Sequence, residues 1–243
     1  MAGAMILGIY GYQDSGKTKL VEELVRSLVK KGYRVASVKH SPHSKSIDCE
    51  GKDTWRHWRA GSDPVVFSSK TETTVIKHTE TSSEDIARML VAEHCPDVII
   101  MEGFKEGSFP KVAVGKVVVR KGTVLVNPGL KKLVAYVERE VATDNVIRGL
   151  PGLDCGKCGL DCRKLAAEIV DGRRRLRDCV ELPSVGVEIL VGGKRVPAGK
   201  FVSTMVDGTV KGMVSSLKGY EPGKEVEIRL SAKRKEPRKR TKR

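Results

Sequence analysis

Residues 11–18, GYQDSGKT, have the types and the spacing of a loop that binds a triphosphate. The two glycines let the backbone adopt positive φ and approach an anion closely. The amides that follow point inward at the start of a helix, where the helix dipole attracts negative charge. A lysine in this position reaches the β and γ oxygens, and the next hydroxyl can ligate Mg²⁺. The motif predicts a phosphate site formed by Gly11, Asp14, Ser15, Gly16, Lys17, Thr18 and Lys19.

Three acidic residues further along the chain suit the chemistry of such a site. Asp48 and Asp53 lie in a polar loop after a predicted strand, and could contact Mg²⁺ or order a water for attack on the γ-phosphate. Glu102 ends another predicted strand, where a magnesium partner is expected. We therefore predict Lys17, Asp48, Asp53 and Glu102 as catalytic residues, and Thr18 and Glu102 as magnesium ligands.

The same polar loop carries other candidates, because His40, His43, Arg56, His57 and Arg59 lie close together in the sequence. His40 and His43 could bind Zn²⁺ or Ni²⁺, or could only orient phosphate and backbone, and the sequence leaves both roles open. Arg56 and Arg59 are three residues apart, so they could grip an anion or could form a solvated face. Lys105 and Lys111, in a later loop, could hold a second anion.

Four cysteines, Cys155, Cys158, Cys162 and Cys179, form the pattern C-x2-C-x3-C-x16-C. Thiolates at these spacings can converge on one point, and the distant fourth closes the set. Tetrathiolate sites hold either Zn²⁺ or an iron–sulfur cluster, and the chemistry of the spacing does not decide between them. Cys49 and Cys95 are isolated, so we expect a loop thiol and a core thiol.

The elements that position these residues alternate between strand and helix. We predict an α/β fold of the P-loop type, with a mostly parallel sheet flanked by helices. Predicted strands cover residues 6–11, 34–40, 64–69, 73–78, 97–104, parts of 111–126, and 133–140; predicted helices cover 17–32, 54–60, 82–94 and 163–170.

Composition changes divide the chain into four predicted parts. They are a nucleotide-binding domain at 1–148, a four-cysteine module at 149–182, a small β-rich module at 183–231 and a disordered basic tail at 232–243. Turn signals at 192–193, 207–208 and 221–223 support the β-rich interpretation.

The net charge of +15 is concentrated at the carboxyl end, where residues 233–243 hold eight basic residues and one acid. A solubilising tail is favoured over a nucleic-acid arm, and with only 5% aromatic residues a stacking platform is disfavoured. No apolar run is long enough to span a membrane, and no leader pattern is present, so we expect a cytoplasmic protein.

Several segments taken together resemble the molybdopterin-guanine dinucleotide biosynthesis protein B (MobB) family over residues 5–148. They are the GYQDSGKT loop, VKH with His43 and Asp48 after it, GKDT at 51–54, EGFK at 102–105 and PK at 110–111. The resemblance implies a homodimeric, weakly hydrolysing GTP-binding protein, active where a separate nucleotidyltransferase joins molybdopterin to a guanine nucleotide. The resemblance implies that Gly16, Lys17 and Thr18 bind the phosphates and Mg²⁺. It also implies that Asp48, Asp53 and Glu102 lie around the metal ion and the γ-phosphate. The sequence has no clear N/T-K-x-D motif, the motif that recognises guanine. The expectation that the nucleotide is GTP therefore depends on the family resemblance alone.

The cysteine segment resembles the small four-cysteine [4Fe–4S] domains of redox proteins, through CGKCG and the helix before Cys179. Those domains usually leave four residues between the second and third cysteines, whereas three stand here, and zinc remains the alternative. Two other functions stay open for the whole chain: a metallochaperone NTPase that uses His40, His43 and the cysteines, and a non-catalytic iron–sulfur or nucleotide-binding adaptor.

Overall fold

The computed structural model describes residues 4–41 and 46–230. His43 and the predicted basic tail at 232–243 lie outside these ranges.

The described residues form nine strands, six α-helices and one 3₁₀ turn. In chain order they are β1 (Met5–Gly11), α1 (Lys17–Lys30), β2 (Val35–Lys39), α2 (Asp53–Arg59), β3 (Val65–Ser68), β4 (Thr73–Ile76), α3 (Ser83–His94), β5 (Val98–Glu102), β6 (Lys111–Val114), β7 (Thr123–Val126), α4 (Leu130–Gly149), α5 (Cys162–Val170), the 3₁₀ turn Leu176–Asp178, β8 (Ile189–Val191), β9 (Lys194–Val196) and α6 (Lys200–Val214). No helix in this part of the chain is both long and apolar enough to cross a membrane.

The core is a five-stranded parallel sheet in the order β2-β5-β1-β6-β7, so the predicted α/β fold is confirmed. Its middle strands are nearly continuous runs of apolar residues because both faces are covered. One face packs against α1 and α4, where Leu24, Leu28, Leu133 and Val137 are fully buried. On the other face, Ile99 and Met101 pack with Ala87 of α3 and with Phe109. The strands β3 and β4 form a separate antiparallel hairpin.

The predicted strand at residues 133–140 is wrong, because these residues lie within the helix α4. The short window LVAYVERE is rich in residues that favour strands. Over the whole helix, however, Leu133, Val137 and Val141 recur at four-residue intervals and are buried together against α1. The helical period becomes visible only over a window longer than the one that suggested a strand.

The β-rich interpretation of residues 183–231 is also wrong. The described part of this segment contains one short hairpin, β8–β9, and the fifteen-residue helix α6. Gly192 and Gly193 form the hairpin turn with positive φ, as predicted. The turn predicted at 207–208 instead lies inside α6. Valines and threonines with low helix propensity hid this helix from the local pattern.

The four-cysteine segment forms a small unit docked on α4. Leu150, Leu165, Ala166 and Cys179 are its buried core, and Val146 and Ile147 of α4 pack against them. The Arg139 side chain of α4 donates two hydrogen bonds of 3.0 Å to the carboxylate of Asp171, which follows α5. This contact lowers the pKa of Asp171 to about 2, so the pair stays charged through the neutral range.

We expect Leu165→Ala to lower the free energy of unfolding of this unit by about 2–5 kcal/mol, because it leaves a cavity in a small core. Denaturant unfolding followed by circular dichroism measures the change. The matched control is Leu176→Ala, at a leucine that is 40% exposed, which should cost much less. Equal losses in the two variants would contradict the assignment of Leu165 to the core.

Candidate functional site

The carboxyl ends of β1, β2 and β5 lie side by side and form the edge at which the predicted site residues gather. The parallel register places Ile9 of β1 and Lys39 of β2 on either side of Glu102 in β5. The loop after β1 runs directly into α1, whose first residues are Lys17 and Thr18. This edge of a parallel sheet, outside its carboxyl ends, is where α/β proteins bind ligands.

The loop between β1 and α1 is tightly wound, which explains its glycines. Gly16 caps α1 with φ of +85°, a conformation that side chains disfavour. A Cβ on Gly11 would lie 2.4 Å from the carbonyl oxygen of Val114 and 2.6 Å from the Ser15 hydroxyl. The loop therefore passes against β6 and turns into α1, so that its backbone lies at the positive end of the helix dipole.

Lys17 folds back over this loop. Its ammonium donates to the carbonyl oxygen of Tyr12 and lies 3.4 Å from the Ser15 hydroxyl. Burial lowers the pKa of Lys17, and the nearby Lys39 and Lys105 lower it further, against the opposing charges of Glu102 and Asp14. A cation held among other cations at this point is suited to an anionic ligand.

Glu102 is the buried centre of the site, with 6% of the residue exposed. It accepts a hydrogen bond of 3.1 Å from the Thr18 hydroxyl and pairs with the ammonium of Lys39. Beyond it, the ring of Phe104 stacks on His40 at 4.5 Å between centroids. The structure therefore brings Lys17, Thr18 and Glu102 together, and adds Lys39 and Tyr12, which sequence reasoning did not select. The VKH segment was a usable signal for Lys39.

The two aspartates of the polar loop have different surroundings. The Asp53 side chain is 90% exposed at the start of α2 and lies 3.9 Å from Arg56. The Asp48 side chain is only 3% exposed. It accepts a hydrogen bond of 2.6 Å from Thr54, and its other oxygen faces His78 at 3.7 Å. Sequence reasoning missed His78, because no spacing pattern relates it to an aspartate thirty residues earlier.

The remaining basic candidates lie in separate environments. Lys105 stands 5.7 Å from the ring centre of Tyr12, at the mouth of the phosphate loop. Lys111 is buried in β6 and donates to the carbonyl oxygen of Gly107 at 2.6 Å. Its ammonium therefore stabilises the preceding loop and does not face an anion in solvent. Arg59 packs over the rings of Trp55 and Trp58.

The four clustered cysteines of the small unit differ in burial. Cys158 and Cys162 are half-buried and pack against the apolar core that contains buried Cys179, while Cys155 is exposed. Burial raises the pKa of Cys179, and the neighbouring sulfurs of Cys158, Cys162 and Cys155 contribute to the rise. In residues 4–41 and 46–230, no three His, Cys, Asp or Glu side chains meet the distances of a formed metal site. The sulfurs of Cys155, Cys158 and Cys162 are near enough to Cys179 to act on its charge, and four thiolates are a donor set that suits Zn²⁺ or an iron–sulfur cluster.

Comparison with known proteins matches two families to separate parts of the chain. The profile described as "Molybdopterin guanine dinucleotide synthesis protein B" (MobB) matches residues 6–139. The profile described as "Putative Fe-S cluster" matches residues 150–181, which include all four clustered cysteines. The first match ends within α4, at residue 139, and the second begins directly after that helix, at residue 150.

Individual relatives and one solved structure are similar to this chain over different lengths. A "Putative molybdopterin-guanine dinucleotide biosynthesis adapter protein" of Methanocaldococcus jannaschii is 31% identical over 238 residues, covering 93% of this chain and 97% of the relative. The adapter protein of the same name in Haemophilus influenzae is 37% identical over 108 residues, covering 44% of this chain and 61% of its own. The crystal structure of Bacillus subtilis MobB superposes with a TM-score of 0.44 and 19% identity, over 55% of this chain and 97% of that one.

We expect Gly11→Ala to destabilise the protein by roughly 1–3 kcal/mol, because the new methyl group overlaps the Val114 carbonyl and the Ser15 hydroxyl. Gly186→Ala is the control, since Gly186 lies outside the helices, its φ is not positive and a Cβ there meets nothing within 4 Å. The measurement is urea unfolding of both variants beside the parent chain. A neutral Gly11→Ala would show that the loop does not pass as closely against β6 as described.

Proposed function

The chain belongs to the MobB family, and from that membership we propose that it is a GTP-binding adapter protein of molybdenum cofactor biosynthesis. In this proposal it works beside the nucleotidyltransferase that joins molybdopterin to a guanine nucleotide, and it acts as a homodimer. The observation that carries the proposal is the convergence of Lys17, Thr18 and Glu102 at the carboxyl edge of the parallel sheet.

The triphosphate binds over the start of α1 in this proposal. Backbone amides of the loop from Gly11 to Thr18 surround the β-phosphate, and Lys17 leaves the Tyr12 carbonyl to bridge the β and γ oxygens. Asp14, Ser15, Gly16 and Lys19 contribute from the same loop and helix start. Guanine selection follows from family membership.

Thr18 and Glu102 would hold Mg²⁺. Their oxygen atoms are already within hydrogen-bond distance, at 3.1 Å, and both are of the hard type that Mg²⁺ prefers. The Thr18 hydroxyl and the Glu102 carboxylate would supply the oxygen atoms that hold the ion and its waters. The ion would neutralise charge on the β and γ oxygens, which is the main task in phosphoryl transfer.

Weak hydrolysis follows from the position of the remaining acids. Asp53 is exposed at the start of α2, so it can order an attacking water when the polar loop closes over the nucleotide. Asp48 accepts a hydrogen bond from Thr54. In our proposal it therefore stabilises the polar loop and does not contact the reacting groups. Hydrolysis that relies on Asp53 to order the water is slow in this proposal.

A second anionic group, the phosphate of the pterin, would bind beside the nucleotide. Lys105 stands at the mouth of the phosphate loop against Tyr12, and its charge already acts on Lys17. Arg56, which is exposed on α2, is a second candidate for contacting this phosphate. In this proposal Lys105 and Arg56 supply the positive charge for a molecule that carries its own phosphate.

The four cysteines would hold a [4Fe–4S] cluster. Cys155, Cys158, Cys162 and Cys179 are the ligands, and the match to an iron–sulfur family supports the cluster over Zn²⁺. A cluster would supply one-electron chemistry or a structural link between the helix α5 and the 3₁₀ turn.

We expect Lys17→Ala to lower the affinity for GTP with Mg²⁺ by about 10–100-fold, because charge-assisted hydrogen bonds to phosphate contribute about 1.5–3 kcal/mol. Isothermal titration calorimetry measures the affinity. Lys30→Ala, at the exposed far end of the same helix, is the control and should bind like the parent. Unchanged binding in Lys17→Ala would reject the phosphate site.

For the cysteine site, we expect protein purified without oxygen to be brown and to contain about four irons per chain. Cys158→Ser should lose the colour and most of the iron, because it removes one thiolate ligand. Cys49→Ser, at an exposed thiol outside the module, is the control and should keep both. A colourless parent with one equivalent of zinc would decide for the tetrathiolate zinc site.

A further inference from the structure

Three buried polar atoms in the described part of the chain have no hydrogen-bond partner, and they lie together. They are Oδ2 of Asp48 and both ring nitrogens of His78. The aspartate side chain is 3% exposed and the imidazole 12% exposed. Buried polar groups are nearly always paired, so this grouping calls for a ligand between them.

The distance between the two side chains indicates which ligand fits. Oδ2 of Asp48 lies 3.7 Å from Nε2 of His78, beyond the usual range of about 2.7–3.2 Å for a direct hydrogen bond. A water that bridged them with bonds of about 2.8 Å at a tetrahedral angle would hold them about 4.6 Å apart. A metal ion with bonds of about 2.0–2.1 Å holds its ligands about 3.3–3.7 Å apart, at angles between about 110 and 125°. The gap therefore matches a cation.

Both donors are held in position by neighbours that do not occupy the gap. The Thr54 hydroxyl donates to Oδ1 of Asp48 at 2.6 Å, which leaves Oδ2 as the free oxygen. The indole of Trp58 stacks on the imidazole of His78 at 3.9 Å and 11°, which fixes the plane of the ring. Outer contacts of this kind orient the ligands of metal sites. The arrangement is organised before any ion arrives.

The chemistry of the donors selects the kind of ion. An imidazole nitrogen beside a carboxylate oxygen suits Zn²⁺, Ni²⁺ or Co²⁺, whereas Mg²⁺ and Ca²⁺ prefer oxygen alone. Two protein ligands leave further positions for water or for small ligands that enter with the ion. With only two protein ligands, such a site binds its metal ion weakly enough for the ion to exchange with solution.

We propose that Asp48 and His78 form a binding site for a divalent transition-metal ion, separate from the magnesium position at Thr18 and from the cysteines. The aspartate precedes α2 in the polar loop, and the histidine follows β4 of the hairpin. A bound ion would therefore fasten the hairpin to the loop that carries Asp53. The proposal needs neither nucleotide nor an iron–sulfur cluster, so it can fail or succeed independently of the proposed function.

The test is a titration of the full-length, tag-free protein with Co²⁺ alone, after its cysteine site has been filled and excess metal removed. We expect one equivalent of Co²⁺ to bind without a thiolate-to-cobalt absorption band, and to quench the fluorescence of Trp58, which contacts His78. A Trp55→Phe background leaves Trp58 as the single tryptophan. Binding only with the thiolate band, or no quenching at all, would overturn the proposal.

Variants assign the binding to the two residues. His78→Gln and Asp48→Asn should each lower the affinity for Co²⁺ by about 10–100-fold or more, since loss of even an outer partner has effects of that size. Asp48→Asn keeps the acceptor for Thr54, so it preserves the fold if His78→Gln does not. His94→Gln is the matched control, because His94 lies 3.5 Å from Glu93 in an exposed imidazole–carboxylate pair and should leave binding unchanged. Parent-like binding in folded Asp48→Asn would contradict the assignment.

Discussion

The arrangement of the sheet depends on neutralising one buried carboxylate. Glu102 ends the interior strand β5 with little solvent access, and an isolated charge there would cost several kcal/mol. Lys39 from β2 and Thr18 from α1 supply the partners. Both partners reach it only when β1 and β2 run parallel to β5 in the observed register. The position of the phosphate loop and the neutralisation of Glu102 are therefore one structural requirement.

That requirement explains why the sheet and the edge of the site could be predicted from the sequence. The glycine-rich loop lies between a short apolar strand and an amphipathic helix, and Glu102 ends a second apolar strand. These are local patterns, and parallel topology brings the strand ends together. Two other segments could not be predicted in the same way. Residues 133–140 and the helix α6 contain strand-favouring side chains, and for the first of them it is packing against α1 that decides for helix.

The pairing of Asp48 with His78 lies beyond what sequence patterns reach. The two residues come from different elements, and their contact depends on where the β3–β4 hairpin places its end relative to α2. The aromatic stack of Trp58 on His78 is a tertiary contact as well. A motif records the spacing within one element or between adjacent ones, whereas this cluster is created by folding. Lys39 differs in that the VKH segment marks it in the sequence, but its pairing with Glu102, sixty-three residues away, is likewise created by folding.

Packing joins the phosphate loop to the cysteine module through two helices. The helix α1 begins at Lys17 and packs along α4, where Leu24 and Leu28 meet Leu133 and Val137, and Lys31 pairs with Glu138 at 2.8 Å. The same helix α4 carries the module, through the pairing of Arg139 with Asp171 near its middle and through Val146 and Ile147 near its carboxyl end, which pack on the module's apolar core. Close-packed interiors deform little, so α1 and α4 behave as one support. Because Lys17 and Thr18 belong to that support, a nucleotide bound there and a metal centre held by the cysteines rest on the same rigid pair of helices.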